Sequence, residues 1–189
     1  MKAKLNNKTH IEGYLYQHSL ELKESGPNSK NPGTVFITGN VDIATDGQMT
    51  NIVTVHYTYT TATTSTGKAN ATFNVLKDII DGKLCNVMEH GADKAALISI
   101  DSAIGLNEFF SDRNGQEELV SAKRNEGGFV HVADSLAEDE TIRNTFKCDM
   151  LITGVKEVEA DEEKKLPAKA IVRGAIFDFR GALMPVEFS

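Results

Sequence analysis

Val53, Val55, Tyr57 and Tyr59 stand at every second position of one segment. A period of two puts all four side chains on one face of an extended chain, so the segment reads as a β-strand from Asn51 to about Thr61. The same alternation of Val, Ile, Thr, Tyr and Phe, bounded by turn formers, recurs along most of the sequence. A first strand reads from about Thr9 to Lys23, with a break or bend expected near Gly13. The run Ser25-Gly26-Pro27-Asn28-Ser29-Lys30-Asn31-Pro32-Gly33 then forces a turn. A second strand follows from Thr34 to Ala44 and closes at Asp46-Gly47. Thr60 to Gly67 is nearly all Thr, Ser and Ala and reads as a loop or a frayed strand end.

The period then changes. Phe73, Leu76 and Ile80 lie at i, i+3 and i+7, with Val75 and Ile79 beside them, which predicts a short amphipathic helix. Asn70 or Thr72 can cap its start and Gly82 can end it. Strand character resumes at Ala95–Asp101. Glu108–Asp112 and Gln116–Lys123 flank Asn114-Gly115, the strongest short-range hairpin signal, because both residues tolerate the positive φ of a tight turn. Gly127-Gly128 leads into Phe129-Val130-His131-Val132. A helical or loop patch is expected around Asp139–Asn144. Two more strand runs, Phe146–Ala160 and Ala168–Phe188, lie on either side of the charged link Asp161–Lys165. Phe36-Ile37-Thr38-Gly39 and Leu151-Ile152-Thr153-Gly154 echo one another, and Gly inside a strand marks a bulge, a bend or a close backbone approach.

Three strands, a short helix, then two strands joined by a tight hairpin is the order of the five-stranded Greek-key OB barrel. The expected fold is therefore mainly β: an OB-like barrel over residues 1–135, with one short helix between strands 3 and 4. A C-terminal β extension, 136–189, carries too much apolar surface for a disordered tail and is expected to pack on the barrel. A β-sandwich with an incidental helix is the competing architecture.

The chain's 189 residues allow one sizeable core with an appended lobe. No apolar run approaches the roughly 20 residues of a membrane helix, and no secretory leader is expected after the basic start Met1–Lys8. Cys85 and Cys148 form neither a zinc pattern nor a disulfide scaffold, so a reducing, cytoplasmic setting is the simpler reading. Net charge is −7, which argues against an even basic coat for duplex DNA. The acidity is uneven: residues 1–60 hold five Lys and five Asp+Glu, so a local basic groove on the first part remains open.

Lys8-Thr9-His10-Ile11-Glu12-Gly13-Tyr14-Leu15 resembles the first strand of bacterial and phage single-stranded DNA-binding proteins. The helix Phe73–Asp81 with Gly82-Lys83 is similar to their barrel helix and the turn after it. The stretch Ala96–Lys123, around Asp112-Arg113-Asn114-Gly115-Gln116, looks like their final hairpin. The resemblance covers about the first 135 residues. The sequence departs from that family in lacking Trp, a disordered linker and a terminal acidic tail. The resemblance implies sequence-tolerant binding of single-stranded DNA in phage replication or recombination. Replication or recombination proteins, and further copies of the chain, are the other partners it implies.

The residues fit that chemistry. Tyr14 and Tyr16 share one face of the first strand, Tyr57 and Tyr59 one face of the third, and Phe109 stands beside Phe110 at the hairpin. Bases stack on exposed rings for about 1–3 kcal/mol each, whatever the base. Lys30, Lys68, Arg113, Lys123 and Arg124 are candidates for neutralising phosphates. The bland reading of each ring is core and of each charge is solvated surface, and for Tyr57 and Tyr59 the Val53/Val55 face favours core. No phosphate loop, dinucleotide fingerprint, zinc-protease or calcium-loop motif is present. None of His10, His18, His56, His90 and His131 stands at metal-ligand spacing from another. The chain therefore reads as non-enzymatic, with no catalytic residue, metal or cofactor expected. The alternative is a structural or accessory β-protein of a phage particle, binding protein rather than nucleic acid.

Overall fold

β1 (Asn7–His18) buries Thr9, Ile11, Gly13 and Leu15 and turns the residues between them outward, as a period of two requires. The computed structural model describes residues 6–113, 116–160, 165–178 and 181–189. It has two compact units, Lys8–Phe146, and Met1–Asn7 together with Lys147–Ser189.

In the larger unit, β2 (Glu21–Glu24) is followed by β3 (Val35–Ala44) and β4 (Ile52–Thr61). Then come helix α1 (Ala71–Ile80), a single helical turn α2 (Val87–His90), β5 (Leu97–Arg113) and β6 (Gln116–Val132). β1 pairs antiparallel with β3 and with β5. β3 pairs antiparallel with β4, and β5 with β6. A short parallel contact, Val55 opposite Asn125 and His56 opposite Glu126, joins β4 to β6. The circuit β1-β3-β4-β6-β5-β1 closes on itself. With β2 read as the continuation of the first strand, this is a mainly β, OB-like Greek-key barrel whose helix falls between its third and fourth strands.

Ile11, Leu15, Val41, Ile43, Val55 and Tyr57 fill the barrel, and α1 adds Leu76 and Ile79 to the same core. Burying each such side chain is worth about 1.5–3 kcal/mol. The helix starts at Ala71, two residues before Phe73, and Gly82, at φ +70°, follows its end.

Two local expectations change. The first strand breaks at Ser19-Leu20 rather than at Gly13. There Ser19 N donates to Asn40 O at 2.9 Å and Leu20 turns into the core, and the chain runs on along the same side of β3, His18 opposite Val41 and Glu21 opposite Thr38. Gly13 serves close approach instead, since a Cβ on it would lie 2.0 Å from the Ala44 carbonyl oxygen. The final hairpin is also longer than its sequence suggests. β5 and β6 stay paired from Ile98/Val132 out to Arg113/Gln116, with an irregularity opposite Gly127-Gly128. The turn expected at Asn114-Gly115 lies outside the described residues.

Residues Ala137–Arg143 form a strap on this unit. Arg143 is buried, and its guanidinium donates from Nε to Ala137 O at 2.7 Å and from Nη1 to Thr45 O at 3.3 Å. Glu140 accepts from the same Nη1 at 3.3 Å and from Gly47 N at 2.9 Å. The Arg143 carbonyl accepts from Glu12 N at 2.7 Å. The patch expected near Asp139 is a single 3-10 turn, Glu140–Ile142, capped by Asp139 Oδ1 on Thr141 N at 2.9 Å.

β7 (Asn144–Cys148) leads out of the larger unit. The smaller unit holds an antiparallel sheet of β8 (Leu151–Val158), β9 (Lys169–Phe177) and β10 (Leu183–Phe188), in the order β10-β9-β8. Ile176 and Met184 are its buried centre. Asn6 N donates to Asp149 Oδ2 at 2.6 Å and Asn7 Nδ2 to Phe177 O at 3.0 Å, fastening the N-terminal residues to this unit. The echo read in the sequence is structural. Both Ile-Thr-Gly stretches sit at a β-bulge but on opposite sides of it: Thr153 is the extra residue of β8 against β9, whereas Thr38 faces Thr58 and Tyr59 of a bulge carried by β4. Among the described residues, no helix is long and apolar enough to cross a membrane.

One outward residue of β1 gives a pH-dependent term. His10 Nδ1 lies 2.8 Å from Asp101 Oδ1, and Nε2 lies 3.5 Å from Glu12 Oε2. The hydrogen bond to Asp101 raises the imidazole above its ordinary value against the opposing effect of burial, and Glu12 adds to the rise. A raised folded-state value stabilises fully below the unfolded value near 6.5 and is lost as pH climbs through the folded one. His10→Gln should therefore lower Tm more at pH 5.5 than at pH 8.5. Equal losses at both pH values would show that the imidazolium contributes nothing.

Candidate nucleic-acid interface

The outer face of β3 and β4 is where OB barrels bind along their second and third strands. Here its centre is polar and internally satisfied. Asp42 accepts from Gln17 Nε2 at 2.8 Å and from Thr54 Oγ1 at 2.6 Å. His56 Nδ1 is 2.7 Å from Asn40 Oδ1. Arg124 forks onto Glu126 Oε1 through Nε at 2.9 Å and Nη2 at 2.8 Å. Burial, and then the Arg124 charge, hold His56 below its ordinary value, so it is neutral at pH 7. Asp42 and Glu126 against one engaged guanidinium leave no excess positive charge to meet a phosphate.

The end of the same strands differs. Alternation puts Tyr57 and Tyr59 on one face, but β4 bulges between them: Gly39 pairs with Tyr57 and Ile37 with Thr60, so Thr58 and Tyr59 together oppose Thr38 and Tyr59 turns to the outer face. Tyr57 is 1% exposed and Tyr59 48%. Tyr57 is thus a core residue and not an exposed stacking platform, and burial pushes its phenol well above the usual range. Tyr59 emerges beside Phe36 of β3, the ring centroids 4.5 Å apart and the planes tilted by 34°. Its hydroxyl lies 3.2 Å from Ser25 Oγ, at the start of the turn that carries Lys30. Phe129, just past Gly127-Gly128 in β6, is 70% exposed and lines a cavity with Tyr59.

The other candidate residues are scattered around this cluster or away from it. Lys30, Lys68 and Lys123 are exposed and make no ion pair among the described residues. Arg124 is tied to Glu126, so it is not a free phosphate ligand. Tyr14 and Tyr16 are half-buried on β1. Tyr14 lines a different cavity of about 440 Å³ with Met49, Asp93 and Leu97. Phe109 opposite Val120 and Phe110 opposite Leu119 stand on the two faces of the long hairpin, and all except Val120 are well exposed. Arg113 ends β5, and its side chain lies outside the described residues.

Sequence reasoning missed Phe36 and Phe129. The second was within reach. If Val130 points inward, Phe129 and His131 must point outward, and Val130 is indeed buried at 1%. Phe36 was within reach too, since Ile37, Val41 and Ile43 keep one inward phase along β3 and so turn Phe36 outward with Asn40 and Asp42.

A family model described as YorF matches residues 5–189. The chain belongs to the YorF family. The match spans both compact units, so the barrel and the three-stranded sheet are parts of one YorF-family chain. No curated protein matches this sequence.

Proposed function

We propose that this YorF-family chain binds single-stranded DNA without catalysing a reaction, in phage replication or recombination in the host cytoplasm. The observation that carries the reading is an aromatic cluster on an OB-ordered barrel, in which half-buried Phe36 packs on exposed Tyr59 and exposed Phe129 lines a cavity with Tyr59. Rings so placed stack on bases of any identity.

Electrostatics make stacking the larger part of the affinity. Between Lys8 and Phe146 there are 11 Lys+Arg and 19 Asp+Glu, a net of −8. Lys30, Lys68 and Lys123 are exposed and make no ion pair among the described residues. At about 0.7 per phosphate, three contacts give a log–log salt slope near −2 for oligo-dT. Fluorescence titrations at several salt concentrations measure that slope, and duplex of equal length should bind much more weakly. No binding at low salt, or equal affinity for duplex, would remove the reading.

A second reading, an accessory β-protein of a phage particle that binds protein, draws on the exposed apolar residues. Phe110 and Leu119 on the hairpin, and Leu151, Ile152 and Val155 on β8, are all more than half exposed. The same surfaces suit self-association or docking of replication proteins. Loss of oligo-dT binding with retained solubility would favour this second reading.

A further inference from the structure

We infer that the cavity at the N-terminus of α1 is a pocket for one nucleotide unit, a base with its phosphate. The inference deepens the single-strand reading and shares its aromatic cluster.

The cavity measures about 350 Å³ and lies between the end of β4, the loop that follows it, the start of α1 and Gly127–Phe129 of β6. Ligand pockets run from about 300 to 1,000 Å³, so this one suits a single small unit and not a longer segment. Tyr57 reaches it from the barrel interior. The residue is 1% exposed, and its hydroxyl has no hydrogen-bond partner among the described residues. Buried polar groups are nearly always paired, and an orphan is costly unless something from outside completes it.

Helix α1 supplies the second observation. Its N-cap, Asn70, makes no side-chain cap bond, because its Nδ2 donates to Thr61 O at 2.9 Å instead. The first turn holds no acidic residue. A ten-residue helix with an uncapped start offers peptide N–H groups and the positive end of its dipole to an anion. Asn70 and Thr72 both line the cavity, so that end faces it.

The walls complete the chemistry. They are hydroxyls, one side-chain amide, peptide groups and three aromatic rings, and none of the lining residues is Asp, Glu, Lys or Arg. In a unit of net −8, a wall free of carboxylates is a place that a phosphate can approach. Thr64 N donates to Lys68 O at 2.8 Å, so the turn at the rim also carries a lysine. Tyr59 and Phe129 offer ring faces to a base, and the Tyr57 hydroxyl can donate to or accept from its polar edge. An inorganic anion would use the helix end but leave the rings and the phenol without a role.

Calorimetric titration of the full chain with dTMP tests this, with oligo-dT titrated in parallel. The wild type should bind dTMP. Tyr57→Phe should weaken dTMP binding about tenfold by removing one buried hydrogen bond, while its Tm stays equal or rises. Phe129→Ala, at an exposed position, should weaken it about fivefold or more and carries the test if Tyr57→Phe does not fold. Absence of dTMP binding, or equal binding by wild type and both variants, overturns the pocket. If oligo-dT still binds in that case, the single-strand reading survives without it. Binding of dTMP with no binding of oligo-dT would keep the pocket and remove the single-strand reading.

Discussion

Alanine at Gly39 should destabilise the barrel by about 3 kcal/mol or more, whereas alanine at Gly154 should change stability by less than about 1 kcal/mol. Both glycines end an Ile-Thr-Gly stretch, so sequence alone gives no reason to separate them. Gly39 sits at φ +127°, which L side chains rarely adopt, and a Cβ there would lie 2.2 Å from the Ser19 carbonyl oxygen. That contact is backbone, fixed where the chain runs on from β1 to β2, and it cannot move aside as a side chain could. Gly154 has no atom within 4 Å of a built Cβ and no positive φ. Urea unfolding curves of the two variants measure the difference. Similar midpoints for both would mean that the break at Ser19 is looser than the packing implies.

Arg143→Ala should cost about 2–4 kcal/mol. The side chain is 8% exposed, and its loss leaves the Ala137 and Thr45 carbonyls without their donor. It also releases Glu140, which helps to hold the Gly47 loop. Lysine at this position should recover only part of the loss, because an ammonium cannot reach two carbonyls and a carboxylate in the fork geometry of a guanidinium. A chain ending at Asp134 lacks the whole strap and should be less stable than either variant. Thermal melts compare all three, and an unchanged Tm for Arg143→Ala would show that the strap is ornamental to the barrel.

The fold was largely legible because its signals are local. The single change of period at Phe73–Ile80 placed the helix, and the order of strands around it pointed to a closed Greek-key barrel. The break at Ser19-Leu20 was not legible, since it depends on Asn40 of β3, which is distant along the chain. Nothing in Glu138-Asp139-Glu140 announced a strap, because the reason for it is a buried guanidinium three residues on. In the candidate site, alternation put Tyr57 and Tyr59 on one face, and nothing in the sequence announced the bulge at Thr58-Tyr59 that leaves the first inside and turns the second out. Arg124 reads as a free cation until Glu126, two residues away on the same strand face, claims it.

Asn6 and Asn7 bond to Asp149 and Phe177, which are about 140 and 170 residues away along the chain. The barrel is thus inserted between the two parts of the smaller unit. During synthesis Asn6 and Asn7 leave the ribosome before the barrel yet meet their partners only after the whole barrel has been made. Closing a loop of that length carries an entropic cost that an already folded barrel, by holding its own two ends, reduces. Assembly should then be ordered, barrel first and sheet second, and a defect such as that expected for Gly39→Ala should delay the completion of a unit in which residue 39 takes no part.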